Sequence, residues 1–412
     1  MIKLAHAFPA LNPNPAFHQE LLAKFKATVE REDVGFFRHS SDRAIATTAK
    51  TTARRFAHKK RLVHVGIGGS SLGPEMLLSA LGVAPDKRVQ FINNIDTDML
   101  VRQQREWDIN ETFFYIVSKS GNTAETLAAL AIIISWLDKH KISSAQWKEY
   151  IVVCTDPKNG DLRKLARDHQ LSCLDVPPSI GGRFSVLTDV GLFTAAWAGI
   201  SVDQLLHGAE AIKANLLEPH VEKNLLTQMT YWLEEQRKSG RTLTVLMPYS
   251  SLLKEFTAWW VQLWAESLGK DGKGLTPVMS YGATDQHSQM QLFMQGPADK
   301  AMLLLGIETS EHSLSLKNTL KYPHLEALAP FSLSELMKAE HAGTLKALEE
   351  EGRPLLDLRL QQFNADTLGQ LILFFESLTV AVGITLGVDP FNQPGVEAGK
   401  KYAHDWLGQH AP

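Results

Sequence analysis

From residue 61 onward, strand-like apolar runs alternate with stretches of helical length, and few folds accommodate that alternation. RLVHVGI (61–67) reads as a strand, and Pro74–Leu81 opens a helix. VQFINNI (89–95) and TFFYIVS (112–118) are further strands, and a helix is expected over Leu127–Asp138. EYIVVCTD (149–156) is a fourth strand. Short connections between such elements argue for a parallel sheet with helices on both faces. A second set follows: TLTVLMP (242–248), a helix over Ser251–Leu268, AMLLL (301–305) and a helix over Thr367–Ile384. The break between the sets falls near residues 195–210. The length, 412 residues, suits two such domains. Ligands in these folds sit beyond the carboxyl ends of the strands, here in a cleft between the domains.

Composition removes several function classes. The formal net charge of −3 gives no affinity for nucleic acid, and no lysine/arginine block suggests a membrane surface. Cys154 and Cys173 belong to no CxxC pair, which argues against a disulfide framework or a zinc site. The N-terminal MIKLAHAFPALNPNPAF has no long apolar core and does not read as a signal peptide. Apolar stretches such as Leu371–Leu378 are broken by polar residues before about 18 residues, so none reads as a membrane span. The expectation is a soluble, cytoplasmic protein.

Two glycine- and hydroxyl-rich loops follow predicted strands. HVGIGGSSLG (64–73) resembles a nucleotide loop in spelling only. Gly66-x-Gly68 needs a glycine at 71, which is Ser71, and Gly68-x4-Gly73 is followed by Pro74 rather than Lys-Ser/Thr. SKSGNTAET (118–126) supplies Ser118, Ser120, Thr123 and Thr126 hydroxyls, with Gly121 letting the backbone turn. Set before a helix N-terminus, these groups form a cradle for a phosphate monoester. The plainer alternative makes Thr123 an ordinary helix cap. For the 64–73 loop, the alternative is close strand–helix packing.

The helix over 251–268 carries Leu252, Phe256, Trp259, Trp260, Leu263 and Trp264 as its apolar arc. Glu266 points nearly the same way as Trp259, and Gln262 lies one turn before it. An apolar setting and the negative end of the helix dipole both strengthen Glu266 as a base. A glutamate that merely reaches solvent fits the isolated helix as well. Arg183 in SIGGRFS stands where a guanidinium can stabilise an oxyanion. His287 in YGATDQHSQ titrates near neutrality. FNQPGVEAGKK offers Gln393, Glu397 and Lys400. Singly, each is also compatible with a structural or solvated role.

Taken in order, SKSGNTAET, GGRFS, Gln262-x-x-x-Glu266-Ser-x-Gly-Lys270, GATDQHS and NQPGVEAGK resemble the motifs of the glucose-6-phosphate isomerase (phosphoglucose isomerase) family. The resemblance spans about residues 60–402. It implies two sugar-isomerase (SIS) domains, each a parallel sheet flanked by helices in a three-layer αβα sandwich. The implied division is an N-terminal segment (1–50), a first domain (51–200), a second (201–385) and a C-terminal segment (386–412) that contributes to the site. It implies reversible isomerisation of glucose 6-phosphate and fructose 6-phosphate through an enediolate, in glycolysis and gluconeogenesis. Glu266 would move the proton between C1 and C2, and Arg183 would stabilise the enediolate. His287 and Lys400 would serve ring opening. Ser118, Lys119, Ser120, Thr123 and Thr126 would bind the phosphate, while Gly68, Ser70, Gln262 and Gln393 would line the sugar. No metal or cofactor is implied. A homodimer is, with His287 donated across the interface. Asn122 and Leu268 depart from the family pattern without touching these roles. The rival class is a phosphosugar-sensing regulator, which would keep the 118–126 cradle but have no use for Glu266, Arg183 and His287. A metal-dependent isomerase is a weaker rival.

Overall fold

The computed structural model describes residues 2–410. Among these, the strands are β1 (Ile2–Phe8), β2 (Arg61–Val65), β3 (Arg88–Ile92), β4 (Thr112–Ser118), β5 (Ile151–Thr155), β6 (Ser172–Asp175), β7 (Leu243–Pro248), β8 (Thr276–Met279), β9 (Lys300–Thr309) and β10 (Leu355–Gln362). They form two five-stranded sheets. One has the order β3-β2-β4-β5-β6 and is wholly parallel. The other has the order β1-β10-β9-β7-β8 and is parallel except at β1, which runs antiparallel to β10.

The interior strands show why a parallel sheet forms. TFFYIVS and IVVCT are buried at every position, as strands covered by helices on both faces must be. Each sheet is flanked by helices, so the α/β class expected from the sequence is the one observed. Ile2–Phe8, read from the sequence within an N-terminal segment, pairs with the fully buried core of β10 and closes that edge of the second sheet.

Helix boundaries follow local chemistry. Ala124–Lys139 starts at Thr123 and Lys254–Leu268 follows a short 3₁₀ turn, Ser251–Leu253. That turn corrects one expectation: Leu252 is not on the buried arc but 48% exposed. Phe256, Trp259, Trp260, Leu263 and Trp264 are fully buried, at most 1% exposed. This helix packs on Leu72–Leu81 from the first sheet's side and on Ala365–Leu386 from the second's, so it lies at the seam of the molecule.

Ala365–Leu386 is longer and more apolar than the sequence reading allowed. By length and composition it is able to cross a membrane, yet 94% of its most apolar window is buried inside the protein. It is a core helix. Against it lies Val202–Leu216, and two glycines set their separation. A Cβ at Gly208 would stand 1.7 Å from Asp366 O, and one at Gly369 would stand 1.9 Å from Leu205 O. The backbones touch. Gly369→Ala should therefore destabilise the protein by about 1–3 kcal/mol through overpacking. A chemical-denaturation midpoint equal to the parent's would show that the two helices separate without cost.

Candidate active site

β2 and β4 are neighbours in the parallel sheet, so the loops that leave them emerge side by side. The β4 loop is SKSGNTAET. Ser118 Oγ lies 2.7 Å from Thr123 Oγ1, and Ser120 Oγ lies 3.4 Å from each. Gly121 takes φ +69°, where a Cβ would press on Gly160 and Thr155 at 3.0 Å. Thr123 holds the cap position of helix Ala124–Lys139, but its side chain makes no cap hydrogen bond. Thr126 Oγ1 is buried without a partner. The helix start thus presents free N–H groups and converging hydroxyls, the arrangement that receives an anion. Lys119 points elsewhere: its Nζ donates to Pro178 O at 2.9 Å and Ile180 O at 2.7 Å, and burial pushes its pKa down. It staples the loop to the segment leading to Arg183.

The β2 loop forms a 3₁₀ turn, Gly68–Ser70, with Gly68 at φ +56°. A Cβ at Gly68 would lie 2.9 Å from Gln262 Nε2, and one at Gly69 would collide with Gly182. The turn needs these glycines to approach both. Behind it, His64 is fully buried, with Nε2 2.7 Å from Ser70 O and Nδ1 2.8 Å from Thr194 Oγ1. Burial pushes its pKa down to about 4, against the pull of the Ser70 carbonyl. The ring is neutral, donates from Nε2 to Ser70 O and accepts from Thr194. Nothing in the local sequence around His64 assigns it this part.

Arg183 is the centre. It is 3% exposed, and every donor nitrogen has an acceptor. Nε donates to Ser267 Oγ at 2.8 Å, and Nη2 donates to Pro390 O at 2.6 Å and Asn392 O at 3.1 Å. Nη1 donates to Glu266 Oε2 at 3.2 Å and Gln393 Oε1 at 3.0 Å. Burial lowers its pKa, and the Glu266 carboxylate opposes that. Glu266 Oε1 in turn accepts from Gln262 Nε2 at 3.0 Å. The sequence places Glu266 on an apolar arc with Gln262 one turn before it; the structure sets the Arg183 guanidinium and the Gln262 amide against its carboxylate. Ser267 and the carbonyls of 390–392 were not foreseen, because their role comes from Arg183, far away in sequence.

The chain belongs to the phosphoglucose isomerase family. The model of that family, Phosphoglucose isomerase, matches residues 41–411. A glucose-6-phosphate isomerase of Rubrobacter xylanophilus is 40% identical over 360 residues, which cover 84% of this chain and 82% of that protein. One of Carboxydothermus hydrogenoformans is 34% identical over 94% of this chain and 88% of its own length. The crystal structure of a glucose-6-phosphate isomerase from Chlamydia trachomatis superposes with a TM-score of 0.81 at 25% identity, covering 96% of this chain and 85% of that one.

Two residues expected at the site form no hydrogen bond or ion pair with it among the described residues. His287 ends the turn Thr284–His287, is exposed, and its side chain makes no hydrogen bond or ion pair among the described residues. Lys400 lies on the helix Glu397–Gln409, which has no buried residue, and pairs with Glu397 at 2.9 Å. A cavity of about 370 Å³ on the second sheet, lined by Tyr249, His341 and Arg359, contains none of the site residues. Ser118→Ala combined with Thr123→Ala should raise KM for a sugar phosphate about tenfold or more, since each hydrogen bond to an anion contributes about 1.5–3 kcal/mol. Steady-state kinetics giving the parent's KM would contradict the cradle.

Proposed function

We propose that the Glu266–Arg183 pair performs the proton transfer of the family's reaction, the reversible aldose-ketose isomerisation of glucose 6-phosphate and fructose 6-phosphate. The observation that carries this is the 3.2 Å contact between Glu266 Oε2 and Arg183 Nη1, with Gln262 and Gln393 on either side. A carboxylate able to take a proton from carbon stands beside a fixed cation able to hold the resulting oxyanion.

The reaction follows in balanced steps. The ring opens as a proton reaches the ring oxygen and the anomeric hydroxyl gives one up, with His287 and Lys400 assisting. Glu266 removes the C2 proton of the open aldose, and the electron pair moves through C1 to O1. The planar enediolate lies beside Arg183. Glu266 returns its proton to C1 as the carbonyl forms at C2 and the O2 proton passes to O1. Only Nη1 of Arg183 faces this chemistry; its Nε and Nη2 are committed to Ser267 and to backbone. Gly68 and Ser70 wall the sugar, and the 118–126 loop holds the phosphate.

The active form is a homodimer in which His287 reaches the partner's site. Three features support this reading. His287 is exposed and unbonded within its own described chain. The helix Glu397–Gln409 presents Tyr402, Trp406 and Leu407 to solvent, at 72, 58 and 60% exposure. Leu320, Tyr322 and Phe331 do the same at 53, 62 and 50%. Apolar surface of this extent is usual on an interface rather than on a free monomer.

Two measurements follow. Glu266→Gln should lower kcat about 10²–10⁴-fold, the contribution of a positioned base, while KM changes little; near-parental turnover in a coupled assay would remove Glu266 from the mechanism. The second mixes two inactive variants, Glu266→Gln and His287→Ala, under conditions that allow subunit exchange. A hybrid dimer has one intact site if His287 acts across the interface, so activity should return to about a quarter of parental. No recovery from demonstrably mixed dimers would place His287 elsewhere.

A further inference from the structure

Two long helices end at the seam, Lys254–Leu268 and Ala365–Leu386, and both bring the negative ends of their dipoles there. The chain leaving the second helix, residues 386–393, carries Gln393 to the site. Its carbonyls are met by cations one after another. Lys273 Nζ donates to Leu386 O at 3.0 Å, Lys270 Nζ to Asp389 O at 2.5 Å, and Arg183 Nη2 to Pro390 O and Asn392 O at 2.6 and 3.1 Å. Lys270 also folds back onto Ser267 O at 2.8 Å, the carbonyl directly after Glu266. It therefore ties the residue next to the base to the segment that bears Gln393. Downstream of Gln393, the helix Glu397–Gln409 has no buried residue among the described residues.

We propose that Lys270 is a positioning residue for the isomerisation, fixing the 386–392 turn against the end of the Glu266 helix so that Gln393 stays on Arg183. The proposal rests on the site reading above. Lys270 acts through other groups: its ammonium satisfies two orphan carbonyls and leaves the Arg183 donors free for Pro390, Asn392, Gln393 and Glu266. Charge-assisted bonds of this kind are shorter and about twice as strong as neutral ones.

The charged groups facing Lys270 are Arg183 from the first-sheet side, Glu266 and Asp271 from its own element, and Asp389 from the C-terminal segment. Burial, then Arg183, push its pKa down to about 8 from 10.5, against the three carboxylates. The folded protein thus holds fewer protons here than the unfolded chain between those values. Raising pH through that window does not cost folding stability through this group; it adds to it. The charge of the clamp is lost all the same, so activity and stability should part company above pH 8 or so.

The test compares the parent with Lys270→Met and Lys270→Arg, measuring kcat and KM for fructose 6-phosphate against pH, with melting temperatures alongside. Lys270→Met should lose about tenfold or more in kcat at neutral pH with KM within about twofold, because the phosphate cradle is untouched. Lys270→Arg keeps a cation that does not titrate in this range. It should recover most of kcat and lack the alkaline fall expected of the parent near pH 8. Parental kcat and an unchanged alkaline limb in Lys270→Met would overturn the proposal. Should Lys270→Met fail to fold, the limb in Lys270→Arg decides, and its persistence overturns the proposal. Glu266→Gln separates the two levels: if that variant is active the site reading itself fails, whereas an inactive Glu266→Gln beside a parental Lys270→Met removes only the clamp.

Discussion

A guanidinium with almost no exposure to water organises this protein. A buried charge is costly unless its donors are met, and Arg183 is met on every side: by Ser267 and Glu266 from one helix, by Gln393 and by two backbone carbonyls of the C-terminal segment. Those partners come from two separate stretches of chain, and Arg183 itself stands on a third. The cation therefore fixes the two sheets and the C-terminal segment relative to one another, and the chemistry sits where they meet. Removing one partner leaves part of a buried charge unpaired, so the arrangement tolerates little slack.

The glycines near Arg183 serve the same geometry. Gly69 lies against Gly182 so closely that a Cβ at Gly69 would stand 2.3 Å from Gly182 C, and Gly68 abuts Gln262. One turn after β2 thus presses both against the Gly182–Arg183 segment and against the helix that carries Glu266. His64 stiffens this from beneath. Kept neutral by burial, it serves as one donor and one acceptor rather than as an acid or base.

Local chemistry was legible where the sequence pattern is local. β4 and β5 are apolar without interruption, the two loops carry their hydroxyls and glycines in plain order, and the arc from Phe256 to Trp264 follows helical spacing. The misses share one physical cause: their pattern is set by partners distant in sequence. β10 reads LLDLRLQQ, and the sequence gives no warning that Asp357 is buried because His341 and Arg359 stand against it, at 2.9 and 2.7 Å. β1 is identifiable only from the edge it closes, and β8 contains Pro277, which argues against a strand until its edge position is known. The candidate site divides the same way. The 118–126 loop could be argued from its own residues. Glu266 and Arg183, 83 residues apart, were brought together only by the motif order of a family, and Lys270 stood in a quoted motif without any sign of what it touches.

The proposed phosphate cradle stands on β4 and the start of a single helix, so it belongs to the first sheet alone. The proposed base and cation, Glu266 and Arg183, come from separate stretches of chain and exist as a pair only while the elements that carry them stay packed together. A chain could keep the first without the second, and would then bind sugar phosphates without turning them over. What separates an isomerase from such a sensor is therefore the set of contacts that crosses the seam: Arg183 to Glu266, Arg183 to the 390–393 carbonyls and amide, and the lysines at 270 and 273 that hold the same segment. In this protein all of them are made.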